Sequence, residues 1–305
     1  MKCDGVTVYC MAYNHEKYIE KTLNGFVSQI VSFPYKVIVH DDASTDKTKS
    51  IIQKYATQYP DIIIPVYQKE NQYSKGIDIY KTIIEPMIDT ELVAICEGDD
   101  YWTDSHKIQM QYDYMTTHSD CSLCVHNTMY IKENGEETGQ KANESMIDRD
   151  YSASDVIAVG GGGLFHTSSF CYRLNIRKNI PEYMRLERIG DYPLAMYCAM
   201  CGNVHFIGRT MSAYRMLSDG SWSKRTKKNQ TSIDENIINM LTTTNKETDY
   251  KYADAIEKAI TRYQFKICVQ NKDLRKILSN KNIRRYFNTL SLRMRLWVIK
   301  QCIIC

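Results

Sequence analysis

At 305 residues, 43% hydrophobic and 25% charged, the chain has the make-up of one large or two ordinary globular domains, which excludes a disordered, collagenous or coiled-coil protein. Its longest apolar runs, such as 61–67, fall far short of the ~18 residues that cross a bilayer, and residues 1–8 enter a strand-like run with no charged-then-apolar leader, so neither a spanning nor a secreted protein is expected. The net charge of +3 is uneven: residues 271–305 hold nine Lys or Arg against the single Asp273, +8 against −5 for the rest, which suits an anionic partner at that end without making the whole chain a nucleic-acid binder.

In chain order, residues 6–11, 36–40, 62–68, 92–96 and 122–131 read as strands, several continuously apolar as buried parallel strands are. Helices alternate with them. Asn14 caps a segment with Ile19, Leu23, Phe26 and Ile30 on one face. Ser44 or Asp46 caps another carrying Ile51, Ile52, Tyr55 and Tyr59, and helices at 80–87 and 107–115 follow. This order predicts an α/β fold, a mostly parallel twisted sheet with helices on both faces. Residues 132–150 are polar and read as a loop. A helix at 153–159, a glycine run at 160–163, a strand at 164–173, a helix at 192–201 and strands at 204–207 and 210–216 come next, and helical periodicity resumes after 230. The expected organisation is one domain over 1–228, with halves at 1–131 and 150–228, and a helical, basic extension over 229–305.

Eleven cysteines, an odd number, read as reduced thiols in a cytoplasmic protein. Cys121/Cys124, Cys198/Cys201 and Cys302/Cys305 have zinc-like spacing but lie among apolar residues, and are expected to be small buried hydrophobes.

In open α/β sheets, ligands bind outside the carboxyl ends of the strands. Here those ends are polar: Ala12-Tyr-Asn-His15 after the first strand, Asp41-Asp-Ala-Ser-Thr-Asp46 after the second, Glu97-Gly-Asp-Asp100 after the fourth. Carboxylates gathered at one edge repel one another unless a cation joins them, and Mg²⁺ or Mn²⁺ with oxygen ligands would take its remaining ligands from substrate phosphates. That points to a nucleoside diphosphate. There is no Gly-x-Gly-x-x-Gly after the first strand and no phosphate-binding Gly-x-x-x-x-Gly-Lys-Ser/Thr.

Val6-Thr-Val-Tyr-Cys-Met-Ala-Tyr-Asn14, Val37-Ile-Val-His-Asp-Asp-Ala-Ser-Thr-Asp-Lys-Thr48 and Cys96-Glu-Gly-Asp-Asp-Tyr-Trp-Thr-Asp104 together resemble the ordered signatures of family 2 glycosyltransferases, over residues 6 to about 225. The resemblance implies an A-type nucleotide-diphospho-sugar fold and inverting transfer of a sugar, from a uridine diphosphate donor first of all, to a hydroxyl of a glycan or lipid-linked acceptor. It assigns the nucleotide to 1–131 and the acceptor to 150–228. Ala12, Tyr13, Asn14 and Asp42 would line the nucleotide, with Asp41 supporting that strand end and Lys75 reaching a phosphate or the base. Asp100 would hold the metal, and Asp99 would take the sugar or stand behind the metal ligand. Asp191, in Gly190-Asp-Tyr-Pro193, would be the general base, with Glu187 in reserve. Arg215 and Trp222 would clamp and cover the diphosphate. Leu217 stands where relatives often carry a histidine ligand, which leaves the third metal ligand unassigned. His166 and Ser168 fall on the acceptor side. A non-catalytic scaffold on the same fold and a nucleotidyltransferase are the alternatives. The basic tail admits two readings, a helix packed on the catalytic domain or peripheral attachment to the anionic inner face of the cytoplasmic membrane.

Overall fold

The structure, a computed structural model, describes residues 3–160, 164–186, 190–216 and 230–303. β1 (Cys3–Ala12), β2 (Tyr35–Asp41), β3 (Ile63–Tyr67) and β4 (Thr90–Ile95) form a parallel block in the order β3-β2-β1-β4. Val6, Thr7, Val8 and Tyr9 of β1 are all buried, as a central strand covered on both faces requires. On one face lie α1 (Ile19–Val27), α2 (Thr48–Gln58) and α3 (Lys107–Thr117), which bury Leu23, Phe26, Ile52, Ile108 and Met115 there. The other face is covered by the segment around Tyr80 and Ile84 and by α5 (Leu174–Lys178) and α6 (Asp191–Cys201).

β5 (Tyr101–Trp102), β6 (Cys121–Ile131), β7 (Glu137–Lys141), β8 (Arg149–Tyr151), β9 (Cys171–Arg173) and β10 (Asn203–Arg215) extend the sheet to the order β3-β2-β1-β4-β9-β6-β10-β5, with β7 on β6 and β8 on β10. β9 is antiparallel to both β4 and β6, whereas β6 and β10 pair in parallel, so the sheet is mixed beyond its parallel block.

Several elements differ in detail from the sequence reading. Helix α1 ends at Val27, so Ile30 is exposed and its N–H donates to the Ser105 carbonyl. Residues 80–87 form a π turn followed by a 3₁₀ turn, because Pro86 has no N–H to continue a helix. Only Cys171–Arg173 of the expected strand at 164–173 is extended. The strands expected at 204–207 and 210–216 are one strand, β10, irregular between Ile207 and Ser212, where the Gly208 N–H turns to Asp148. The loop at 132–150 supplies β7 and β8.

The C-terminal helices are part of the body. Helix α6 is sandwiched: Leu194 and Cys198 face the sheet, while Tyr192 and Met196 join Ile157 of α4 (Ala153–Val159), Ile237 and Leu241 of α7 (Gln230–Glu247), and Ile256 and Ala259 of α8 (Ala253–Gln270). The far end of α8 carries α9 (Leu274–Ser279), α10 (Lys281–Thr289) and α11 (Leu292–Ile303) through a small core of Phe265, Cys268, Ile277, Ile283, Phe287 and Val298. No helix among the described residues is long and apolar enough to cross a membrane. Since α7 and α6 share one core, Leu241→Ala is expected to destabilise the whole protein by about 2 to 5 kcal/mol and to lower a single melting transition. Calorimetry showing an unchanged main transition and a separate early one would contradict this.

Candidate functional site

The ends of β1 and β2 are sewn together before any ligand is considered. Asn14 N–H donates to Ser44 Oγ (2.9 Å) and its Oδ1 accepts from Thr45 N–H (2.8 Å); His15 N–H reaches Thr48 Oγ1 (2.7 Å), Glu16 N–H reaches Asp46 (3.0 Å), and Lys47 N–H reaches Glu16 (3.0 Å). Asn14 is thus a cross-strand clamp and not the cap of α1. Asn14 and Ala43 both hold positive φ, 56° and 63°, a conformation that such frameworks must impose. The turn 97–100 closes on this clamp from β4: a Cβ on Gly98 would lie 2.7 Å from His15 and 3.1 Å from Ala12, so only glycine allows the approach. From below, Thr22 of α1 donates to the Asp100 carbonyl (2.5 Å).

The two aspartates ending β2 have different work. Asp42 accepts the N–H groups of Gln72 (2.7 Å) and Tyr73 (3.0 Å) and so holds the 71–75 turn, on which exposed Lys75 pairs with Glu70. Asp41 is fully buried, and neither carboxylate oxygen has a hydrogen-bond partner; the hydroxyl of its register partner Tyr67 is likewise unpartnered. Asp41 is therefore the orphan carboxylate that sequence reasoning had cast as a mere support. Tyr13 is half-buried and directly follows Ala12, the register partner of Asp41.

Asp99 and Asp100 are both buried. Asp100 Oδ1 accepts the Arg215 N–H at the end of β10 (2.9 Å), while Oδ2 has no hydrogen-bond partner and stands 3.7 Å from His166 Nδ1. Burial first, and then the neighbouring Asp99, push the Asp100 carboxyl well above its usual range. The unpartnered Oδ2 is one oxygen that a hard divalent cation could take, and no cluster of three or more His, Cys, Asp or Glu side chains joins it among the described residues. Burial lowers the His166 pKa to about 4. His166 Nδ1 lies 2.9 Å from Ser168 Oγ and 3.2 Å from the Ser168 N–H, and the ring is neutral. Ser168 is fully buried in a hydroxyl chain through Ser212 to Thr128, and it reaches the cleft only by holding His166. The Arg215 guanidinium is also engaged: it donates to the carbonyls of Asp99 (3.2 Å) and Glu133 (2.7 Å) and lies 4.5 Å from the Tyr18 ring.

Asp191 opens α6, and its Oδ1 accepts the Tyr192 N–H (2.7 Å). It borders a narrow pocket with Gly160, Leu164, Phe165, Tyr192 and Ala195, and these apolar surroundings raise its pKa by desolvation. Segment 164–166 joins the two carboxylate sites, since Leu164 and Phe165 line the Asp191 pocket and the next residue, His166, faces Asp100. Arg262 of α8, which no motif singles out, donates to the Ala158 carbonyl (2.9 Å) and packs against Gly160. Lys107 was also invisible as a special residue; it is buried under Trp102, 4.0 Å from that ring, with its pKa lowered to about 8 by desolvation. Glu187, Leu217 and Trp222 lie outside the described residues.

Residues 7–216 match the model of glycosyl transferase family 2, more than half of the chain. The chain belongs to this family. An uncharacterized protein of Mycobacterium tuberculosis (strain ATCC 25618 / H37Rv) is 32% identical over 220 residues, 71% of this chain and 60% of that one. An uncharacterized glycosyltransferase of Nostoc sp. (strain PCC 7120) is 24% identical over 214 residues, 69% of this chain and 64% of that one. The chain thus spans about 60% of the length of the mycobacterial relative. Staphylococcus aureus TarS 1–349, crystallised in complex with UDP-GlcNAc, superposes with a TM-score of 0.63 at 16% identity, over 99% of this chain and 79% of that one, which establishes the fold.

Within this family 2 fold, the raised pKa of Asp100 has a measurable consequence. The folded state holds the Asp100 proton more tightly than the unfolded chain, so stability from the neutral form is complete at low pH and lost as pH rises through the folded pKa. Asp100→Asn keeps that neutral form, and in metal-free protein should be more stable than wild type at pH 7, by a margin that shrinks as pH falls into the usual carboxylate range. Denaturant titration at pH 7 and in that range reads the difference.

Proposed function

We propose that the chain is an inverting, metal-dependent glycosyltransferase that moves a sugar from a nucleotide-diphospho-sugar, a UDP-sugar in the first instance, to a hydroxyl of a glycan or lipid-linked acceptor. The observation that carries the reading is the presence of two carboxylates at either end of the 164–166 segment, buried Asp100 with an unsatisfied oxygen and half-buried Asp191 with a raised pKa. The UDP preference rests on the fold shared with TarS, whose complex holds UDP-GlcNAc.

In this reading Ala12, Tyr13, Asn14, Asp41 and Asp42 enclose the nucleotide, with Lys75 at its rim. Asp41 is the group best suited to accept from the base, because its oxygens have no other partner. Asp99 takes a sugar hydroxyl, and Arg215 with Trp222 covers the diphosphate. Asp100 would hold Mg²⁺ or Mn²⁺, which when bound neutralises charge on the leaving diphosphate. Asp191 accepts the acceptor hydroxyl proton as that oxygen bonds to the anomeric carbon. The bond from that carbon to the diphosphate oxygen breaks on the opposite side, and the configuration inverts. His166 is offered to the acceptor, with Ser168 holding the ring.

A panel of nucleotide sugars with Mg²⁺ or Mn²⁺, followed by diphosphate release, tests the class; no release from any donor would leave a binding scaffold instead. Asp191→Asn is expected to cut transfer by about 10² to 10⁴ with donor affinity unchanged. Loss of donor affinity would remove Asp191 from the base role. Since only the carboxylate accepts a proton and its pKa is raised, the acid limb of kcat/KM should lie above the usual carboxylate value of about 4. Excess EDTA should abolish turnover, and full activity in its presence would refute the metal.

A further inference from the structure

The C-terminal helices leave a surface that the transferase reading does not use. Of the apolar residues of the tail, Phe287 is buried in the small core on α8, and Tyr286 and Leu290 pack against it, so none of these is available to a partner. Helix α11 is different. It buries Val298 and turns Leu292, Leu296 and Ile303 outward, at 66%, 59% and 63% exposure. At about 100° per residue these three fall within roughly 40° of one another. Exposed Arg293 and Lys300 border that stripe, and Trp297, half-exposed, lies beyond them.

Most exposed basic side chains of α9, α10 and α11 form no ion pair among the described residues. These are Arg275, Lys276, Lys281, Arg284, Arg285, Arg293 and Lys300. Asp273, the one carboxylate side chain in this stretch, caps α9 by accepting the Lys276 N–H (2.8 Å). A polyanion such as nucleic acid would use the cations but would gain nothing from exposed Leu292, Leu296 and Ile303. An anionic bilayer uses both, with aliphatic side chains entering the acyl boundary, Trp297 at headgroup level and the cations on the lipid phosphates. Twelve residues cannot span a bilayer, so the helix would lie in its plane.

We propose that α11 is an interfacial helix that docks the protein on an anionic lipid surface through Leu292, Leu296, Trp297 and Ile303, with Arg293 and Lys300 beside them. Helix α8 connects that surface to the site, because Phe265 and Cys268 belong to the small core while Ala259 and Tyr263 pack with Tyr192, the neighbour of Asp191. The docking does not depend on the transferase reading, and its test uses no substrate.

Full-length protein is floated with vesicles of equimolar phosphatidylglycerol and phosphatidylcholine, and separately with pure phosphatidylcholine. Wild type should float with the anionic vesicles only. The double variants Leu296→Glu/Trp297→Glu and Arg293→Glu/Lys300→Glu should each lose about tenfold or more of the bound fraction, with unchanged melting temperatures because all four side chains are exposed. Equal flotation of wild type and the Leu296/Trp297 variant, or no flotation at all, would overturn the proposal. So would retention by double-stranded DNA in preference to the vesicles, lost only in the charge variant, which would assign the surface to nucleic acid.

Discussion

Everything at the site follows from burying carboxyl groups whose oxygens the protein does not fully satisfy. Asp41 and Asp100 are buried at the carboxyl ends of β2 and β4, and between them three carboxylate oxygens lack hydrogen-bond partners. Burial of that kind opposes folding unless the framework is stiff enough to hold it. The stiffness is visible in the clamp between 12–16 and 42–48, in the glycine contact of residue 98 with His15 and Ala12, and in Thr22 bracing the Asp100 carbonyl. A site whose oxygens already point inward needs little reorganisation when a cation or a base arrives.

The parallel block and the strand-end clusters were legible because each depends on local sequence. Continuous apolar runs give buried strands, and polar residues directly after them give the ligand edge. What was not legible depends on distant partners. Asp42 and Asp41 are adjacent and chemically identical, and only the fold of residues 71–73 decides that Asp42 is consumed by backbone N–H groups while Asp41 is left unpaired. Ser168 looks like an exposed polar residue in a loop motif, yet Ser212 and Thr128 from two other strands enclose it. Arg262 and Lys107 sit in helices with ordinary amphipathic patterns; Arg262 is half-buried against Gly160, which is remote in sequence, and Lys107 is buried under Trp102 only because the turn before α3 folds that ring over it. The expected strand at 164–173 failed because its apolar residues line the Asp191 pocket instead of pairing.

The C-terminal helices show the same dependence on distant packing. From sequence they read as an extension, yet α7 and α8 cover the outer face of α6, whose first residue is Asp191. The side chain of that residue therefore takes its orientation from a helix clamped between the sheet and the C-terminal pair. Its desolvation has the same origin, since Tyr192 turns into the α7 and α8 core and closes the pocket floor.

Arg215 links these parts. Its main-chain N–H fixes one oxygen of Asp100, which leaves the other without a hydrogen-bond partner, and its guanidinium spans Asp99, Tyr18 and the carbonyl of Glu133. A diphosphate bound at Asp100 would offer that guanidinium a charged acceptor in place of neutral carbonyls, and charge-assisted hydrogen bonds are about twice as strong as neutral ones. Tyr18 holds the same residue, Glu133, at its carboxylate, so the 132–133 turn keeps that anchor whichever acceptor Arg215 takes.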